Sequence, residues 1–284
     1  MPPRDTTIAT PKSSSAARRK SADKPRPKKA AKRPEPKAPT GAKKAAPRKK
    51  RRVAATPRAY SPGPPVLDEA ALALAVAALR ERDAAVVGAM LEVAGHPPLR
   101  RREPGFAGLA WIVVGQQVST ASANAIYARL NAAFPKLEAR ALGAADDAAL
   151  RGCGLSAPKM KTLRAIAHAL ESKSLDLDAL AAMTAEDAHA ALCAVHGVGP
   201  WTADIFLLFC LGHPDAWPAG DLALQEAARI ALNLRTRPDT KKLEKIGERW
   251  RPLRGVAARL LWSYYRVVKE GRAGDTKSAV ADFG

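Results

Sequence analysis

The stretch Val195-His196-Gly197-Val198-Gly199-Pro200-Trp201-Thr202-Ala203 lies between two apolar helical patterns. One helix later comes Trp217-Pro218-Ala219-Gly220-Asp221. Two glycines two apart between helices predict a tight chain reversal with exposed amides. Pro200 keeps the reversal from running on helically, and Thr202 is placed to cap the helix that follows. The amides of the turn and the helix N-terminus beyond it make a place for a phosphate, with Gly197, Gly199 and Thr202 as candidate ligands. Asp221 falls at the start of the next helix. The predicted layout is helix, hairpin at 195–199, helix, then a carboxylate.

The sequence around this stretch is helical throughout. Apolar periodicity predicts a helix over 67–79, with Leu67, Ala71, Leu74, Ala75 and Ala78 on one face, and a second over 84–91. Pro97-Pro98 breaks the chain, Arg100-Arg101-Arg102 reads as a charged turn, and 106–114 is apolar enough for a fully buried helix. Ser119 can cap a helix to 134 that buries Ala121, Ala125, Ile126 and Leu130. A long helix starts at Ser156, a short one covers 175–183, and Thr184 with Asp187 forms a capping pair before the hairpin. After Asp221, helices are predicted over 222–232, 239–250 and 255–268, and no segment reads as a strand. The fold class is therefore all-α.

The charge is unevenly placed. The chain of 284 residues has a formal charge of +20, but the first 60 residues hold +17 of it, with 20 Lys/Arg against 3 Asp/Glu. The rest is nearly balanced, at 27 against 24. Residues 1–60 also contain ten prolines and almost no large aliphatics, which predicts a disordered, self-repelling basic tail. Such a tail suits nonspecific contact with DNA phosphates. A solvated linker and a nuclear or organellar targeting segment share the same composition. Residues 61–272 are then the folded domain, and 273–284 a frayed end. Three scattered cysteines, Cys153, Cys193 and Cys210, exclude a disulfide framework, and five isolated histidines form no zinc pattern. No apolar run reaches the ~18 residues that would span a membrane, and no secretory signal is legible.

The hairpin and the aspartate together resemble the helix-hairpin-helix DNA glycosylase superfamily. Over residues 61–272 the chain is most similar to its DNA-3-methyladenine glycosylase II family. The resemblance implies a two-lobed helical fold that acts on damaged double-stranded DNA, as a monomer in the cytoplasm or nucleoid (the nucleus or an organelle in a eukaryote). It implies hydrolysis of the N-glycosidic bond of an alkylated purine. Asp221 would stabilise the cationic sugar and position the attacking water. Longer members carry a small sheet domain ahead of the helical ones, which residues 1–60 cannot supply, so a compact helical form is expected.

The same resemblance assigns further residues. Members that also cut the backbone have a lysine where this chain has Trp201, so a monofunctional reaction ending at an abasic site is expected, with no lyase activity. Trp201 would stack on a cationic base, and Trp262 would line the same pocket. The positions that carry tyrosines in the family are Ile205 and Leu222 here, which implies a less aromatic pocket. Gln117, in Gly115-Gln116-Gln117-Val118-Ser119, is carried over as the wedge that fills the DNA stack. Backbone carbonyls of Cys193, Val195 and Val198 match those that hold a sodium or potassium ion. No catalytic cofactor is expected, and no iron–sulfur cluster, since no cysteine follows Asp221.

Each residue has a plainer reading: Asp221 as a helix cap, Trp201 as core, the glutamines as braces of their loop, Lys159 and Lys161 as solvated charges. Two other functions fit parts of the pattern, a glycosylase for another base lesion and a DNA-binding module without catalysis. Asp221 and Trp201 together argue against the second. The tail provides a test. Removing residues 1–60 should weaken binding to undamaged DNA and flatten its salt dependence, while single-turnover base release at saturating enzyme stays unchanged. An unaltered salt slope in a binding titration would show that the tail does not touch DNA.

Overall fold

Short polar side chains that cap helix N-termini mark many of the breaks in the chain. In a computed structural model that describes residues 63–272, Asp68, Ser119, Asp146, Thr184, Asp221 and Asp239 each accept the amide three residues on. Each such cap contributes about 1 kcal/mol. The expectations for residues 1–60 and 273–284 lie outside the described residues.

The helices are α1 (Glu69–Arg82), α2 (Ala84–Ala94), α3 (Gly105–Gly115), α4 (Thr120–Ala133), α5 (Ala139–Ala144) and α6 (Asp147–Gly152). Then come α7 (Ala157–Glu171), α8 (Ala185–Cys193), α9 (Pro200–Ile205), α10 (Leu222–Ala231), α11 (Thr240–Gly247) and α12 (Arg254–Arg272). No strand occurs among the described residues. The helices group into two lobes. In one, α12 packs on α1, α2 and α10, with α11 beside α10. In the other, α3 packs on α4, α7 and α9, with α5 and α6 on α7 and α8 on α9. Helix α3 is the centre of its lobe, buried along nearly its whole length as its unbroken apolar sequence requires. The sequence thus runs from the first lobe into the second and back, which places the hairpin and Asp221 where it returns.

Buried ion pairs help join the lobes. Asp215 is fully buried and accepts from the Arg254 amide (3.1 Å), Nε (2.9 Å) and Nη2 (2.7 Å), and from Arg251 (3.2 Å). Arg254 and Arg251, at the start of α12, also bond Glu186 on α8. A carboxylate so buried is tolerable because every charge has a partner; leaving one unpaired would cost about 3–5 kcal/mol.

Several sequence expectations need correction. In α1 the buried face is Leu72, Val76 and Leu79, while Leu74 is 75% exposed. Aliphatics occur on more than one side of this helix, and packing on α2 and α12 chooses among them. In α4, Ala123 is buried with Ile126 and Leu130, while Ala121 and Ala125 face out. Residues 175–183 hold only a 3-10 turn at Ala179–Ala182. Helix α9 does not stay α-helical but continues into a π-helical turn at Phe206–Cys210.

The Arg251 and Arg254 guanidiniums hold the Glu186 carboxyl down to about 2, overcoming the upward push of its partial burial. A depressed folded value means that Glu186 stabilises the fold fully above its ordinary pKa of about 4.3, and that this contribution is lost as pH falls towards 2. Glu186→Gln should therefore lower the thermal midpoint at pH 6 and narrow its gap from the parent as pH falls below 4. A gap that stays constant from pH 6 to 3 would remove Glu186 from the acid response.

Candidate active site

Asp221 is fixed from three directions. As the N-cap of α10 it accepts the Leu224 amide on Oδ1 at 2.8 Å. The Trp262 indole, from α12 in the same lobe, donates to Oδ1 at 3.1 Å. The Trp201 indole, from α9 in the other lobe, donates to Oδ2 at 3.0 Å. The carboxylate thus spans the junction of the lobes with both oxygens oriented, yet it remains half-exposed. A negative charge aimed by fixed donors needs little reorganisation when positive charge develops beside it. Each indole uses its N–H edge on Asp221. Trp262 is also stacked on Phe209, with ring centres 5.7 Å apart and planes 22° from parallel.

The hairpin fills residues 194–199, between α8 and α9. Gly197 has a φ of +84°, and a Cβ there would collide with the Thr162 side chain on α7. Glycine is required at this point both for the left-handed backbone and for the close approach of α7. Gly199 is different: its φ of −86° suits any residue, and the space at its α-carbon is open. Across the hairpin, His189 on α8 bonds the nearly buried Asp204 on α9 at 2.8 Å. That bond raises the His189 pKa and staples the two helices together.

A model of the HhH-GPD superfamily base excision DNA repair protein matches residues 110–252. The chain belongs to this family. A solved DNA-3-methyladenine glycosidase from Bacillus halodurans is 32% identical, with 69% of this chain and 91% of that one covered at a TM-score of 0.63. The 3-methyladenine DNA glycosylase of Schizosaccharomyces pombe, solved in complex with abasic DNA, is 27% identical over 66% of this chain and 95% of its own, with a TM-score of 0.58. A probable bifunctional transcriptional activator/DNA repair enzyme AlkA of Mycobacterium tuberculosis is 36% identical over 161 residues, 53% of this chain. The chain spans only 32% of the length of that relative.

Within this HhH-GPD framework the structure brings together Asp221, Trp201 and Trp262, and separates others from them. Thr202 does not cap α9; Gly199 is the N-cap, and Thr202 is 2% exposed with its hydroxyl taking a bond from Gln116 Nε2 at 2.8 Å. Thr202 therefore cannot offer its side chain to a phosphate. The two neighbouring glutamines differ: Gln116 braces the start of α9, while Gln117 is exposed at the tip of the α3–α4 loop with a φ of +56°. Ile205 is buried in the core. Leu222 is 62% exposed, because the first residue of α10 points away from the cleft that Asp221 faces, so it does not line a pocket. The Val195 carbonyl accepts the Val198 amide at 3.1 Å, and the carbonyls of Cys193, Val195 and Val198 all lie on the hairpin or the α8 end that enters it.

Two residues escaped the sequence reading. Phe209 owes its place against Trp262 to the π-helical turn, which no local pattern announces. Lys159, read as a surface charge, instead reaches the C-terminal end of α3 and donates to the Val114 carbonyl at 2.7 Å, where a cation suits the helix dipole. Burial lowers its pKa.

Proposed function

We propose that this protein is a monofunctional DNA glycosylase that hydrolyses the N-glycosidic bond of alkylated purines in double-stranded DNA and leaves an abasic site. The observation that carries the reading is the Asp221 carboxylate held by the Trp201 and Trp262 indoles. The names of the B. halodurans and S. pombe relatives point to the same substrates.

The departing base leaves the sugar with positive charge on its ring. Asp221 faces that charge with a fixed negative one and orients the water that completes the hydrolysis. The faces of Trp201 and Trp262 take the extruded base, and a methylated purine, itself cationic, gains cation–π attraction there. Gln117, exposed on its loop tip, fills the gap left in the stack. The amides at Gly197 and Gly199 hold one DNA phosphate. The carbonyls of Cys193, Val195 and Val198 are neutral oxygen donors that suit a sodium or potassium ion beside that phosphate. No step of the hydrolysis passes through the ion.

Trp201 offers no amine for a Schiff base, and Lys159 is bonded to Val114. This supports hydrolysis without strand cleavage. With no cysteine after Asp221, an iron–sulfur cluster forms no part of the reading. No helix among the described residues is long and apolar enough to cross a membrane. We take the protein to act as a monomer in whichever compartment holds the DNA.

On a duplex carrying 7-methylguanine, the parent should release the base and leave the strand intact until alkali is added. Asp221→Asn should bind the duplex but slow release by about 10²-fold or more, the scale of losing one fixed electrostatic group. Borohydride should trap no covalent complex. Release by Asp221→Asn at the parental rate would overturn the catalytic assignment, and a trapped adduct would overturn the monofunctional one.

A further inference from the structure

Trp262 has a second neighbourhood. Together with Pro98, Arg100, Phe209, Arg259 and Ser263 it lines a cleft of about 250 Å³, open on one side. The wall of this cleft is built from the segment that joins α2 to α3. Leu99 gives its carbonyl to Arg259. Arg101 donates to the carbonyls of Leu67 (3.3 Å) and Cys210 (3.4 Å). Arg102 donates its amide to Phe209 (2.9 Å) and lays its guanidinium 3.2 Å from the Trp111 ring centre. The residues on both sides of Arg100 are therefore fixed to the body of the protein.

Arg100 itself has a φ of +46°. A left-handed backbone at a residue other than glycine costs on the order of 1 kcal/mol, and such strain marks a position that the surroundings hold for a reason. Arg259 backs the same wall. It is 4% exposed, bonds the Leu208 carbonyl at 2.7 Å, and sits 4.8 Å from the Phe209 ring centre. Burial lowers its pKa to about 10, which leaves it charged at neutral pH. The lining thus contains two guanidiniums, one hydroxyl and no carboxylate. A guanidinium has five N–H donors and no acceptor. Such a cleft suits an oxygen acceptor and opposes an amino group.

This cleft and Asp221 share the Trp262 ring: its N–H edge meets the carboxylate, and the ring also lines the cleft. A purine is about as long as an indole. A base whose sugar carbon lies beside Asp221 and whose ring follows Trp262 would bring its far edge to Arg100. We propose that Arg100 is a specificity-determining residue that selects extruded purines by the group at position six, favouring an exocyclic oxygen over an amino group. The inference rests on the glycosylase reading above and adds to it a preference for 6-oxopurines.

Two methylated bases isolate the effect. 7-Methylguanine carries an oxygen at position six and 3-methyladenine an amino group, while both are cationic, so their charge cancels in the ratio of their release rates. Arg100→Gly removes the guanidinium and also relieves the left-handed backbone, so the fold should hold, with a thermal midpoint at or above the parent's. In single-turnover assays the ratio of 7-methylguanine to 3-methyladenine release should fall about tenfold in Arg100→Gly, the scale of one charge-assisted hydrogen bond. Arg100→Lys, which keeps the charge but not the fork, should lie between. A ratio unchanged in both variants of an active parent would overturn the role of Arg100 alone. A parent that releases neither base would overturn the glycosylase reading and this inference with it.

Discussion

The site depends on one carboxylate held by two indole N–H groups from opposite lobes. Asp221 caps α10, which sets where its side chain begins, and Trp201 and Trp262 then take one oxygen each. The arrangement is demanding because Trp201 stands on the helix after the hairpin and Trp262 on the last long helix. Both lobes must be in register for the two donors to converge. A carboxylate held in this way has a defined direction, which is what stabilising a transient positive charge requires.

The register of the lobes is set by charged groups with no solvent to spare them. Asp215 gathers the start of α12, Glu186 ties it to α8, and Arg259 gathers carbonyls at Leu99 and Leu208. Apolar packing alone would leave two helical lobes free to slide, since non-directional burial specifies contact better than angle. Directional bonds to buried arginines fix the angle. The π-helical turn at Phe206–Cys210 belongs to the same device, because its displaced carbonyls are the ones that Arg101, Arg102 and Arg259 address.

Much of this was legible from the chain. The all-helical class, the breaks at Ser119, Thr184, Asp221 and Asp239, and the hairpin followed by Asp221 are local signals, since capping and turn chemistry act within a few residues. Which face of α1 is buried was not legible, because aliphatics such as Leu72 and Leu74 compete and only tertiary packing decides. Thr202 looked like a cap because its residue type and position allowed it. Its burial under Gln116 is a contact 86 residues away along the chain. Leu222 and Ile205 were assigned to the pocket by resemblance, and neither faces it. Phe209, Arg100 and Arg259 came only from the folded arrangement, since a π-helical turn and a left-handed arginine leave no periodic trace in a sequence.

The central claim is that the indole N–H groups aim the Asp221 carboxylate at the reacting sugar. The most direct measurement is single-turnover base release by Trp262→Phe, in which the aromatic contact with Phe209 remains but the N–H bond to Asp221 is lost. Lesion binding should persist, while the release step slows about tenfold or more, the scale of a hydrogen bond to a charged group. Release at the parental rate would show that Asp221 needs no such support and would contradict the account.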